Sequence, residues 1–323
     1  MELSKATPPQ TASRRQIIKL AGVAALGSST ATLAQTSEPR RRVARVAHLT
    51  DAHIQPERGG DAGLAKCLHE VQTLHQPDLV LFGGDNIMDA FGQNAGRVES
   101  LFRLWRTTLA RELSVPWITC LGNHDIWGWD KPNSHCTGDE PMFGKRWAMD
   151  EFGLTERFFT RDLNGWRIIV LDSTHTDGGN GYVARLDEPQ FQWLENQLAG
   201  VPSTVPVCVL SHIPIVCACA MFDGDNEKTG DWRIPGSFMH VDARRIKDLF
   251  YRHRNVKLAL SGHIHLVDRV DYLGVSYLCN GAVCGGWWKG PNQECTNGYG
   301  IVDLYADGTF SAAYHGFDWR ARE

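Results

Sequence analysis

Long basic runs are missing from this 323-residue sequence, and so is any strong imbalance of charge: the formal net charge is -4 at pH 7. A dedicated DNA- or RNA-binding chain carries a basic patch or stripe, so no dedicated nucleic-acid binding is expected. Long apolar runs are missing too. The weakly apolar stretch 20–34 is too short for a comfortable membrane span, and no stable membrane anchor is expected. No internal repeat and no second composition regime divides the chain, which argues for one domain with a β-rich second half. An even set of cysteines is also absent. There are nine, so at least one lacks a partner within the chain. What remains is ordinary for a globular enzyme: 42% hydrophobic and 22% charged residues, and length enough for a large α/β core.

The first forty residues read differently. Ser13-Arg14-Arg15-Gln16-Ile17-Ile18-Lys19 precedes an uncharged stretch, Leu20 to Ala34, rich in Ala, Gly, Ser and Thr. This resembles a twin-arginine export signal. Thr32 and Ala34 are small residues placed for cleavage after Ala34. The expected organisation is a signal peptide over 1–34, a polar linker over 35–42, and a folded enzyme over 43–323 that is periplasmic or extracellular. In an oxidising compartment Cys284 and Cys295 are candidates to pair. Cys120 and Cys208 read as buried thiols in strands.

From Val43 onward apolar runs alternate with amphipathic stretches. Val43–Thr50, Leu79–Gly83 and Trp117–Leu121 read as strands. Leu64, Cys67, Leu68 and Val71, then Val98, Leu101, Phe102, Trp105 and Leu109, recur at helical spacing. The order is βαβαβ. An irregular stretch, Ile126 to about Glu156, follows. Arg157–Leu163 and Trp166–Leu171 read as strands around an Asn164-Gly165 turn. A helix through Phe191, Leu194 and Leu198, a strand at Val207–Leu210, a helix at Val241–His253 and a strand at Val256–Leu260 come next. From Val267 the chain is mostly strand-like.

Polar clusters come where these strands end: Asp51-x-His53, Gly84-Asp85-Asn86, Gly122-Asn123-His124-Asp125, Ser211-His212 and Gly262-His263-Ile264-His265. In open α/β sheets, ligands bind outside the carboxyl ends of strands, so five motifs would converge on one rim. At least three imidazoles, two carboxylates and an amide oxygen make a mixed N/O donor set. That suits Fe, Mn, Zn or Co better than Ca or Mg. Two such cations, about 3.5–4 Å apart, can clamp an in-line displacement and activate a water at neutral pH. Alternation in an extended segment would put Asp51 with His53, and His263 with His265, on one side. Each motif alone is weak; five in order are not.

In this order the motifs resemble those of the calcineurin-like metallophosphoesterase superfamily, in the subgroup often called class III cyclic-nucleotide phosphodiesterases. The resemblance runs from about Val43 to the C-terminus, with no motif missing. It implies an α/β fold, a four-layer αββα sandwich of two mixed β-sheets flanked by helices. It places Asp51, His53 and His265 on one metal and Asn123, His212 and His263 on a second, with Asp85 bridging. It implies two transition metals (Fe, Mn or Zn), His124 as acid toward the leaving oxygen, and Asp125 orienting that imidazole. The activity implied is hydrolysis of small-molecule phosphate esters, a phosphodiester such as a cyclic nucleotide or glycerophosphodiester first. A phosphomonoesterase and a non-catalytic binding scaffold stand behind it. Asn86 departs from the apolar residue expected there.

Other features are set aside. Asp223-x-Asp225-x-Glu227 begins like a calcium loop, but Lys228 stands where the turn needs Gly. Cys217-x-Cys219 is weak as a metal pattern. His135, His175 and His240 read as ordinary polar residues, His240 as a possible helix cap. Gly285-Gly286-Trp287-Trp288-Lys289-Gly290-Pro291 reads equally as a stacking surface or as a packed corner.

Overall fold

A computed structural model of the chain describes residues 40–320. The expected signal, 1–34, and most of the linker lie outside the described residues. Thirteen strands follow in chain order. The first seven are β1 (Arg42–Leu49), β2 (Leu79–Phe82), β3 (Trp117–Thr119), β4 (Phe159–Leu163), β5 (Trp166–Val170), β6 (Thr174–Thr176) and β7 (Tyr182–Ala184). The rest are β8 (Val207–Leu210), β9 (Val256–Ser261), β10 (Asp268–Tyr272), β11 (Val275–Cys279), β12 (Gly298–Tyr305) and β13 (Phe310–Gly316). The helices are α1 (Gly60–Glu70), α2 (Ala95–Glu112), α3 (Lys131–Ser134), α4 (Arg146–Phe152), α5 (Glu188–Gly200) and α6 (Ala243–Arg252). Among the described residues no helix is long and apolar enough to cross a membrane.

Two large mixed sheets result, in the orders β13-β12-β1-β2-β3 and β10-β11-β9-β8-β5-β4. Period-two alternation explains how they stack. In β2, Leu79 and Leu81 join Trp166 and Ile168 of β5, Cys208 and Leu210 of β8, and Leu258 and Leu260 of β9 in one core between the sheets. The intervening Val80 and Phe82 turn the other way, onto Leu64 and Leu68 of α1 and Phe102 and Trp105 of α2. The second sheet does the same: Ile169, Val207 and Val209 pack on Leu194 of α5 and Ile246 and Phe250 of α6. Strands buried on both faces are apolar throughout, as parallel strands must be. The layers are helix, sheet, sheet, helix, as expected.

The irregular stretch after Ile126 contains two short helices, α3 and α4. Asp130 caps the first through its side chain, which accepts from the Asn133 N–H. The β6–β7 hairpin was not expected. The parallel strands β1, β2, β3, β8 and β9 all end at the same rim, and each is followed by one of the five motifs.

Candidate metal centre

Beyond β1 and β2 the two segments stay paired. The Asp51 N–H donates to the Gly84 carbonyl (3.1 Å), and the His53 N–H to that of Asp85 (2.9 Å). The backbone there is not extended. Asp51 (φ 54°), His53 (41°), Asp85 (52°), His263 (71°) and His265 (59°) are all left-handed. The convergence expected from strand alternation is therefore reached by another route, a tight left-handed turn at each member of a pair. Such residues cost on the order of 1–3 kcal/mol each and persist where surrounding bonds hold them. The His263 N–H, for example, donates to Asp51 Oδ2 (2.9 Å). Two glycines allow the close approach. A Cβ on Gly122 would overlap the Asp85 carboxylate, and one on Gly262 the Thr50 hydroxyl and Asp51 carboxylate.

The seven predicted ligands are brought together. His265 Nε2 lies 3.4 Å from Asp51 Oδ1. His53 Nε2 lies 3.6 Å and His212 Nε2 3.3 Å from Asp85 Oδ2. His212 Nε2 is 3.1 Å from Asn123 Oδ1 and 3.2 Å from His263 Nδ1. Asp51, His53 and Asp85 form one group of mutually close donors, and Asp85, His212 and His263 another. Asp85 belongs to both.

Three imidazoles are turned so that Nε2 faces inward. The Nδ1–H groups of His53, His212 and His265 donate to the carbonyls of Met88 (3.2 Å), Gly83 (2.8 Å) and Gly285 (2.8 Å). That aims Nε2 at the carboxylates, and His53 Nε2, fully buried, has no partner. Imidazole nitrogens set against carboxylate oxygens call for positive charge between them, a proton or a cation, and the mixed N/O donors fit a transition metal. Burial also holds His53 and His263 neutral, at about 3. His212 goes the other way: burial opposes its charge, but Asp85 more than offsets this and raises it to about 9. Cys284 lies near His53 and His265, yet its thiol faces the Nδ1 side of His265 (3.9 Å), behind the donor atom.

His124 is on the rim, and here one expectation fails. Asp125 makes no bond to the His124 ring. Its carboxylate accepts from the backbone N–H groups of Asn86 (2.9 Å) and Gly122 (3.0 Å), tying the loop after β2 to that after β3. Burial, then Asp85, push this carboxyl up to about 7. Neighbours in sequence on a turn point apart, and the carboxylate that reaches His124 Nδ1 is Asp89 Oδ1, at 3.0 Å. Asp89 is fixed by the Phe91 N–H (2.9 Å) and Gln93 Nε2 (3.2 Å). Its only signal in the sequence was a carboxylate four residues after Asp85. Asn86, the departure from the family pattern, donates through Nδ2 to Thr119 Oγ1 (3.0 Å) and is buried structure.

The paired tryptophans divide the two readings between them. Trp288 is fully buried and donates from Nε1 to the His53 carbonyl (2.9 Å). Trp287 stands at the site, its ring 4.2 Å from that of His53 and 5.2 Å from that of His124. His240 is buried. It bonds Asp242 (2.9 Å), at the α6 cap position, without itself capping the helix through its side chain. His135 ends α3 in a left-handed turn, and His175 lies outside the cluster. All nine cysteines are free thiols, Cys284 and Cys295 included, so that pairing is not made.

A family model for calcineurin-like phosphoesterases matches residues 44–267. The chain belongs to that family and is a metal-dependent phosphoric ester hydrolase. A curated relative from Synechococcus sp., named a probable cyclic nucleotide phosphodiesterase, is 27% identical over 230 residues, 68% of this chain and 72% of its own. Another, from Nostoc sp., named a 3′,5′-cyclic-nucleotide phosphodiesterase, is 26% identical over 242 residues, 72% and 74% of the two chains. The crystal structure of a dimetal phosphatase from Danio rerio superposes with a TM-score of 0.57 at 15% identity, covering 82% of this chain and 93% of that one. It shares the fold.

Proposed function

We propose that the chain is a phosphodiesterase with a dinuclear transition-metal centre. The observation that carries the metal count is the shared Asp85, a carboxylate common to two groups of mutually close donors. The relatives named as cyclic nucleotide phosphodiesterases support the diester. Asp51, His53 and His265 would hold one metal, Asn123, His212 and His263 the other, with Asp85 between. Bound there, the metals supply charge neutralisation at the phosphoryl oxygens and water activation at neutral pH. Fe, Mn and Zn all suit these donors.

The protein's own contribution is positioning and a proton. Backbone carbonyls orient three of the ligand imidazoles, His53, His212 and His265. Burial opposes charge on His124, but Asp85 and the bond to Asp89 raise its pKa. The ring thus holds a proton on the side away from Asp89, to be given to the departing alcohol oxygen. Trp287 covers His53 and limits water there.

The test is hydrolysis of bis(p-nitrophenyl) phosphate and p-nitrophenyl phosphate by chelated enzyme refilled with Mn, Fe, Zn or Co. Diester cleavage restored by metal, with two metal ions per chain, is expected. Preference for the monoester would make it a phosphatase, and one ion per chain at full activity would end the dinuclear reading. We also propose export, on the strength of Arg14-Arg15 and the uncharged stretch after them. Arg14→Lys with Arg15→Lys should keep the protein in the cytoplasm of a twin-arginine-competent host, and unchanged fractionation would refute export.

A further inference from the structure

We propose that the cavity beside His124 is the leaving-group pocket, and that it takes an uncharged, ring-bearing alcohol of nucleoside type while rejecting one with a second phosphate. This rests on the phosphodiesterase reading.

Position decides which side of the reaction the cavity serves. It measures about 470 Å³, within the roughly 300–1,000 Å³ typical of small-molecule sites. His124 and Asn123 form part of its wall. The group placed to protonate the departing oxygen therefore opens into this space.

The walls decide the chemistry. Phe91 and Tyr182 meet edge to face, centroids 5.6 Å apart, and both are only half-buried. They offer aromatic surface to a flat ring. Tyr182 also lies 6.0 Å from the His263 ring, so it reaches from the pocket to the metal centre. The lining carries two carboxylates, Asp89 and Asp130, and neither Lys nor Arg is among the lining residues. Asp89 is occupied by His124. Asp130 is met by the neutral amide Asn133 Nδ2 (2.6 Å), so its charge is not cancelled. Lys131, next in the chain, is committed elsewhere: its Nζ donates to the Thr137 carbonyl (2.9 Å) and sits over the Phe143 ring (5.4 Å). A carboxylate accepts hydrogen bonds from the vicinal hydroxyls of a ribose well. The same carboxylate repels a phosphate carried on the leaving alcohol, by a factor of about ten or more in a partly desolvated cavity.

The test uses the metal-loaded full chain. Adenosine should compete with bis(p-nitrophenyl) phosphate. The dinucleotide ApA should be cleaved with kcat/KM at least about tenfold above its form phosphorylated at both outer hydroxyls, pApAp. Asp130→Asn preserves the helix cap and should shrink that ratio several-fold. Tyr182→Ala, or Phe91→Leu if the first variant does not fold, should raise the adenosine inhibition constant about tenfold. A ratio near one, or a ratio that Asp130→Asn leaves in place, would overturn the charge selection. Failure of adenosine to compete, or competition by choline in its place, would overturn the ring-bearing assignment. In either case cleavage of bis(p-nitrophenyl) phosphate leaves the phosphodiesterase reading standing. No cleavage with any metal removes that reading and the pocket with it.

Discussion

Two adjacent tryptophans should respond to substitution in opposite ways. Trp288 has no exposed surface, packs beside Gly60 and Gly63 of α1, and donates its indole N–H to the carbonyl of His53. Trp288→Phe keeps most of the ring but removes the donor. A buried carbonyl left without its partner costs about 1–3 kcal/mol, and the lost ring area adds about 1 kcal/mol. The sum is about 2–4 kcal/mol, or on the order of 10 °C in Tm for a folded unit of this size. Because the freed carbonyl belongs to a residue in a left-handed turn, metal affinity should fall as well, by about 10- to 100-fold. Trp287→Ala removes a half-buried ring facing the centre and should change stability by less than about 1 kcal/mol while lowering turnover. Thermal unfolding of chelated and metal-loaded protein, with metal content measured after dialysis, separates the two. If Trp288→Phe unfolds at the wild-type temperature, or Trp287→Ala loses as much stability, the division of labour between these rings is wrong.

Other outcomes follow from the same geometry. Gly122→Ala should displace the Asp85 carboxylate, costing about 1–3 kcal/mol and most of the bound metal; full metal occupancy by elemental analysis would contradict it. His124→Ala should bind metal normally and lose about 10²- to 10⁴-fold in turnover, and full activity would take His124 out of the mechanism. Asp89→Asn should lower turnover with metal retained, whereas Asp125→Asn should chiefly lower Tm; the reverse pattern would restore Asp125 to His124. Asp172, buried just past the end of β5, pairs with Lys145 Nζ (2.5 Å) and Arg157 Nη1 (2.7 Å); burial opposes its charge, but these cations hold its pKa below 3.8. Its contribution is therefore present at neutral pH and lost as pH falls below about 4. Asp172→Asn should flatten that acid limb of urea-measured stability, and an unchanged limb would count against the ion pair.

The sequence made the layers readable because strands buried on both faces are unbroken apolar runs, and α2 repeats its apolar residues at helical spacing. The candidate donors were readable because each motif follows such a run. Local contrast runs out elsewhere. Thr174–Thr176 and Tyr182–Ala184 are too short and too polar to announce a hairpin, yet that hairpin carries Tyr182 to the site. The resemblance paired Asp125 with His124, but a turn sends consecutive side chains apart and brings in Asp89 from another loop. Left-handed φ at Asp51 and His53 cannot be read from their identities, since neither is glycine. Nor can periodicity tell which of two neighbouring tryptophans faces inward.

The donors come from both sheets: Asp51, His53, Asp85 and Asn123 from loops of one, His212, His263 and His265 from loops of the other. Each proposed metal therefore draws on both sides of the apolar seam. Occupied, the centre acts as a rivet through two plates, and parting the sheets means releasing the ions. Folding of the sandwich and loading of its catalyst are then one linked equilibrium, in which metal concentration sets how firmly the plates are joined.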